Sequence, residues 1–248
     1  MTDELTNTIY YGIDPGANGA FIAIRLISSG GQENTVLRIC KDNGYWEFKI
    51  EILYIEKFRP AKKKYFGTKL DSNILDVLLI NSVISNLLQH IPLEKGRFYN
   101  DTKYLATCEV PFAPPRSGTN VAMKMGINFG ILLNALVQYM DNCKWIRPSD
   151  WTKFYKENIP YGQLSILSKI KEDKKLLSEE MFYILTDPDD VNEQIEIIGK
   201  EWSRTYANGI YDAFCIALYG ALLPYMNEKF KINLIFNNNF VKKWSKND

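Results

Sequence analysis

Three carboxylates carry the chemistry open to this sequence: Asp14, Glu109 and Asp212. Asp14 follows the β-branched and aromatic run Thr8 to Ile13 and opens the turn Pro15-Gly16-Ala17-Asn18-Gly19. An acid at a strand end points into a crevice, and a glycine turn lets a phosphate backbone come close. Glu109 ends the apolar run from Tyr104 to Cys108 and precedes the proline-broken stretch Pro111, Pro114, Pro115. Asp212 has Cys215, Ile216 and Tyr219 at i+3, i+4 and i+7, so a helix sets it on an apolar face. Each acid alone has a plain alternative: a turn cap, an exposed strand end, or a partner for a distant base. Taken together, two strand ends and a terminal helix can converge on one cleft. Clustered acids repel unless cations neutralise them. Oxygen donors without His or Cys suit Mg²⁺ or Mn²⁺, and carboxylate-held ions drive in-line phosphodiester displacement.

The elements that must position these acids are legible from patterning. Thr8 to Ile13 and Ala20 to Ile27 flank Asn18-Gly19, a hairpin signal, and Thr35 to Cys40 and Glu47 to Ile55 are further strand-like runs. The spacing predicts an antiparallel meander, then a helix from Asn73 to His90 and a strand from Lys103 to Val110. A helix capped at Thr119 or Asn120 and running to Tyr139 follows, then a strand from Lys144 to Arg147 and a short helix opening at Ser149. Residues 160–200 read as two short helices around the turn Asp187-Pro188-Asp189-Asp190, and Arg204 to Met226 as a final apolar helix. A strand meander followed by alternating helices and strands predicts one mixed α/β sheet flanked by helices. No linker divides residues 1–248, so the expectation is a single domain. Its appendages are a basic loop at about 58–70, an inserted helical segment at about 160–200 and a basic tail at about 227–248.

Composition bounds the function. The chain has 248 residues, 46% apolar and 13% aromatic, which excludes disorder and suits one core. Thirty Lys and Arg against 29 Asp and Glu leave a formal charge of +1, which excludes a globally basic nucleic-acid binder. A single histidine, His90, and four widely spaced cysteines argue against a zinc site and a histidine-based triad. Met1-Thr2-Asp3-Glu4 begins no signal peptide, and the apolar run Phe214 to Met226 is too short to span a bilayer. The expectation is a soluble cytoplasmic protein with no membrane partner, in the host cytoplasm if the chain is viral.

Four blocks resemble the RuvC family of Holliday junction resolvases, which has an RNase H-like (retroviral integrase) fold. Tyr11-Gly12-Ile13-Asp14-Pro15-Gly16 is similar to the first-strand motif, and Cys108-Glu109-Val110-Pro111-Phe112 to the second. Ala122 to Gly130, with Lys124 two residues before a Gly-x-x-x-Gly, is similar to the family's helix, and Ile210 to Ala217 to the last motif. Pro148-Ser149-Asp150-Trp151-Thr152-Lys153 resembles a stretch in phage-type members. The resemblance implies that Asp14, Glu109 and Asp212 hold Mg²⁺ or Mn²⁺, that Phe112 stacks at the strand-exchange point, and that Lys124 contacts a phosphate near the cut. It also implies a homodimer acting on branched DNA, a four-way junction, in recombination or repair. The family's usual fourth ligand, Asp or His, falls here on Asn208 or Gly209, so Asn208 offers an amide oxygen without charge. Asp189 and Asp190 are the substitutes within reach of sequence reading.

A polyanion site must therefore be local. Lys62, Lys63, Lys64 and Lys69 in the basic loop, with Tyr65 and Phe66, are its best candidates, joined by Arg116, Lys124, Lys153 and Lys156. Two other readings stay open: a branched-DNA-binding protein weakened in catalysis, and an actin/sugar-kinase-fold ATPase, for which the further glycine-rich phosphate loops are missing.

Overall fold

The computed structural model describes residues 5–16, 19–30, 36–41, 44–58, 75, 80–85, 103–111, 117–139, 143–158, 174–186, 204–227 and 229–235. Seven strands form one sheet: β1 (Thr8–Ile13), β2 (Ala20–Ser28), β3 (Leu37–Lys41), β4 (Gly44–Lys57), β5 (Lys103–Glu109), β6 (Cys143–Ile146) and β7 (Lys231–Leu234). Their order across the sheet is β6-β5-β1-β2-β4-β3-β7. β1 is buried along its whole length. It pairs antiparallel with β2 and parallel with β5, and β5 pairs parallel with β6. This is the mixed sheet, antiparallel strands joined to parallel ones, expected from the sequence.

The meander differs from expectation in its third member. β2 pairs with β4, not β3, and β3 forms an outer hairpin on the first residues of β4. β4 is an inner strand with two edges: Phe48 to Lys57 pair with β2 on one, and Gly44 to Phe48 pair with β3 on the other. Cross-strand ion pairs Arg25–Glu51 and Arg38–Glu47 sit at paired positions and pin both registers. The register of β2 on β4 shifts between Ala23 and Ile24, where Leu53 is the extra residue of a bulge.

Four described helices complete the fold: α1 (Thr119–Tyr139), α2 (Pro148–Asn158), α3 (Lys174–Leu185) and α4 (Arg204–Leu222). One face of the sheet is covered by α2, α3 and α4, in a core containing Trp151, Tyr155, Phe182, Phe214 and Leu218. The other face packs against Leu132, Ala135 and Leu136 of α1 and against Ile80, Val83 and Ile84 of the helical residues 80–85. α4 ends at Leu222, earlier than expected, because Pro224 cannot continue it; residues Leu223–Tyr225 tighten into a 3₁₀ turn. β7 was hidden in a stretch read as part of the basic tail. Its alternating Ile232 and Leu234 are buried, and it pairs with the free edge of β3. The four cysteines are free thiols, and Cys108 and Cys215 are buried.

Candidate active site

Small residues let α4 lie directly on the sheet. A Cβ on Gly12 of β1 would meet the Ala213 carbonyl oxygen at 1.8 Å, and one on Gly220 would meet Thr107 Oγ1 of β5 at 1.9 Å. Gly209 bridges to Gly19 at the start of β2. Residues 209, 213, 217 and 220 therefore form the contact line, and Asp212 stands beside it, half-buried, with Oδ1 enclosed.

Strand parity then assigns faces. Gly12 and Thr107 face α4, so two residues on, Asp14 and Glu109 face it too. Ile13 pairs with Cys108, so the two acids leave neighbouring parallel strands side by side. The sequence placed both acids at strand ends; the register puts them on one face under the helix carrying Asp212.

Asp14 and Glu109 each accept a hydrogen bond from a protein donor. The Gly16 N–H donates to Asp14 Oδ1 at 3.1 Å, which shapes the turn. Glu109 is 8% exposed, and the Trp151 Nε1–H donates to its Oε2 at 2.7 Å. Asp150 accepts the Arg147 N–H at 3.1 Å and starts α2, which aims that indole. The Tyr155 hydroxyl donates to the Cys215 carbonyl at 2.8 Å, tying α2 to α4.

Two site residues escaped the sequence reading. Trp151 carried a signal, its place in the Pro-x-x-Trp-x-Lys stretch, but nothing tied it to Glu109. The second is Lys57, 3% exposed, at the end of β4. Burial lowers its pKa to about 8, against the opposing pull of the Asp14 charge. In an unbroken strand Lys57 and Ile52 would point to opposite faces. The bulge at Leu53 turns Ile55 and Lys57 onto the α4 side, where Ile52 also packs.

The donors fit a hard divalent cation by type and by their place at one end of one face. As they stand they do not enclose one: among the described residues no three Asp, Glu, His or Cys side chains form a metal-holding group. Asn208 lies one turn before Asp212 on α4, half-buried. Lys124 is half-buried on α1, in the layer across the sheet from α4. Lys153 is exposed on α2, pairs with Glu157 at 3.7 Å, and lines an open cleft of about 760 Å³ with Phe154 and Tyr219. Phe112, Arg116, Lys62, Lys63, Lys64, Lys69, Asp189 and Asp190 lie outside the described residues.

No protein-family model matches the chain, and no curated protein matches it. Among solved structures, Thermus thermophilus RuvC in complex with a Holliday junction substrate is 13% identical with a TM-score of 0.45, over 90% of this chain and 99% of that one. Thermus thermophilus RuvC alone is 14% identical with a TM-score of 0.42, over 90% and 99%. The yeast mitochondrial Holliday junction resolvase Ydc2 is 12% identical with a TM-score of 0.45, over 97% and 85%. Likenesses this distant fix neither activity nor substrate.

Proposed function

We propose that this chain is a Mg²⁺- or Mn²⁺-dependent endonuclease that resolves four-way DNA junctions as a homodimer. The observation that carries the reading is the pairing of Asp14 and Glu109 at adjacent strand ends, on the face covered by the helix of Asp212. Asp14, Glu109 and Asp212 would hold the ion, with the Asn208 amide oxygen beside them. A bound divalent ion supplies the charge that activates water and stabilises the departing 3′ oxygen. The chain's own groups do the rest. The Trp151 N–H fixes Glu109, and the Asp14–Gly19 turn gives a phosphate close access to the strand end. In this reading Phe112 stacks on a base, while Lys124, Lys153, Arg116 and the lysines of the 58–70 loop bind phosphates.

The homodimer reading is supported by α1. Met123, Leu133 and Val137 are exposed along one side of it, and its one charged residue is Lys124. Nothing lies within 4 Å of a Cβ built at Gly126 or Gly130, so those glycines admit a close neighbour that the described residues do not supply. An uncharged apolar face is complementary to itself, and a two-fold axis through it would give two equivalent sites for paired nicks. α1 is also long and apolar enough to cross a bilayer. Flotation with liposomes in place of self-association would overturn the dimer.

The test is cleavage of a synthetic four-way junction with Mg²⁺. Paired symmetric nicks are expected, abolished by Asp14→Asn. Equal nicking of linear duplex, branched and single-stranded DNA refutes junction selectivity. A second reading, a junction-binding protein without cleavage, is favoured by the open arrangement of the acids and the uncharged Asn208. Tight Mg²⁺-independent junction binding with no nicks would establish it.

A further inference from the structure

We infer that Lys57 is a positioning residue of this site: its ammonium offsets the charge of Asp14, so that a DNA phosphate can approach the Asp14–Gly19 turn. The phosphate part rests on the junction reading above; the coupling of Lys57 to Asp14 stands independently of it.

Four strands set one row of side chains across the α4 face. The Asp14 N–H donates to the Ala20 carbonyl at 3.0 Å, and Ala20 pairs with Lys57. On the other side Ile13 pairs with Cys108, so the register brings Asp14 beside Glu109. The row reads Glu109, Asp14, Ala20, Lys57, from β5 through β1 and β2 to β4. Ala20 is buried in the core under α4, and within the row only its methyl separates the lysine from the aspartate. Two strand spacings put the backbones of Lys57 and Asp14 about 10 Å apart, a gap that the two side chains shorten. Hydrogen bonding fixes the lysine end, where Phe58 donates its N–H to the Gly19 carbonyl at 2.9 Å. Gly19 is pressed against Asp14, since a Cβ there would meet the Asp14 carbonyl oxygen at 2.0 Å.

Burial gives the charge its reach. Lys57 is 3% exposed, and lysine is almost never so buried unless another charge holds it. Its long stem lets lysine seek solvent at most strand ends, but the bulge at Leu53 commits this one inward. The Asp14 charge favours the ammonium against the cost of burial. Buried opposite charges are little screened by salt. The same field works outward. Glycines open the turn to a phosphate, yet the carboxylates at its base repel an anion. Lys57 cancels one of those charges from inside the fold, with nothing bound from solution.

The experiment is done on the full chain in EDTA at neutral pH. Lys57→Met and Lys57→Gln should weaken binding to a synthetic four-way junction by about tenfold, and Lys57→Arg should stay near the parent. Asp14→Asn keeps the oxygen that accepts the Gly16 N–H. Added to either neutral variant, it should restore binding to within about threefold of the parent, because the repelling charge is gone. A lysine that only packs is not rescued by a change at Asp14. Urea unfolding supplies the second measurement. Lys57→Met should shift the unfolding equilibrium about five- to tenfold further toward the unfolded chain with Asp14 present than with Asn in its place. Additive effects on unfolding, or weakened binding that Asp14→Asn does not restore, overturn this inference and leave the nuclease reading standing. A parent that binds no junction, with or without Mg²⁺, overturns the junction reading, and the unfolding cycle then decides the role of Lys57.

Discussion

Replacing Gly12 by alanine tests whether α4 is seated on the sheet by backbone contact. A Cβ at Gly12 would lie 1.8 Å from the Ala213 oxygen, 2.5 Å from the Ala217 nitrogen and 2.8 Å from the Ala217 Cβ. Two of these are backbone atoms, so no rotamer change relieves them. Ordinary contact needs about 3.3–3.5 Å, so the helix must withdraw by roughly 1.5 Å. Overpacking a core costs about 1–3 kcal/mol, and a backbone clash belongs at the top of that range. A loss of about 3 kcal/mol is a large part of a typical 5–15 kcal/mol. It should lower Tm by about 6–12 °C in a chain of this size. The same withdrawal carries Asp212 away from Asp14 and Glu109, and a misplacement of about 1 Å costs on the order of 10²-fold in rate. The assay is urea and thermal unfolding by circular dichroism, with junction cleavage alongside. Gly44→Ala is the control: it is exposed and its Cβ would meet only the Lys41 oxygen, at 3.9 Å. Its stability should stay within about 0.5 kcal/mol of the parent. Equal stability of Gly12→Ala and the parent would refute the seating of α4 and the site built on it.

Trp151→Phe removes the N–H that Glu109 accepts at 2.7 Å. Urea unfolding should show a loss of about 1.5–3 kcal/mol, the range for a hydrogen bond to a charged group, and cleavage should fall with it. Lys57 predicts a pH dependence. Its pKa is about 8 in the fold against 10.5 as the reference. Between those values the unfolded chain holds more protons, so this residue makes stability rise with pH, with the full burial cost present below pH 8. The difference in stability between the parent and Lys57→Met should therefore shift in the parent's favour from about pH 8 upward, and a flat difference would contradict the burial. Met123→Asp and Val137→Asp place charges on the exposed face of α1. Sedimentation should report monomers for both, with the urea midpoint unchanged. Junction binding should weaken steeply with salt despite the net charge of +1, because local phosphate contacts set the slope.

Strand and helix patterning and the strand-end acids were readable because they depend on near neighbours. β1, β2, β5 and α1 fall where alternation and helical periodicity predict them. Asp14, Glu109 and Asp212 stood out because an acid at the edge of an apolar run is conspicuous. What could not be read depends on pairing. The place of β3 outside β4 depends on which edge of β4 each partner takes. β7 becomes a strand because the edge of β3 accepts it. The Trp151–Glu109 bond joins residues 42 apart in the chain. Lys57 is the sharpest case. By sequence parity it opposes Ile52 and should face away from it, yet one inserted residue reverses every side chain beyond it. Sequence alone determined which residues could do chemistry and which elements would carry them. Tertiary structure decided which face each side chain took, because side-chain direction in a sheet turns on register, and register is set by partners far along the chain.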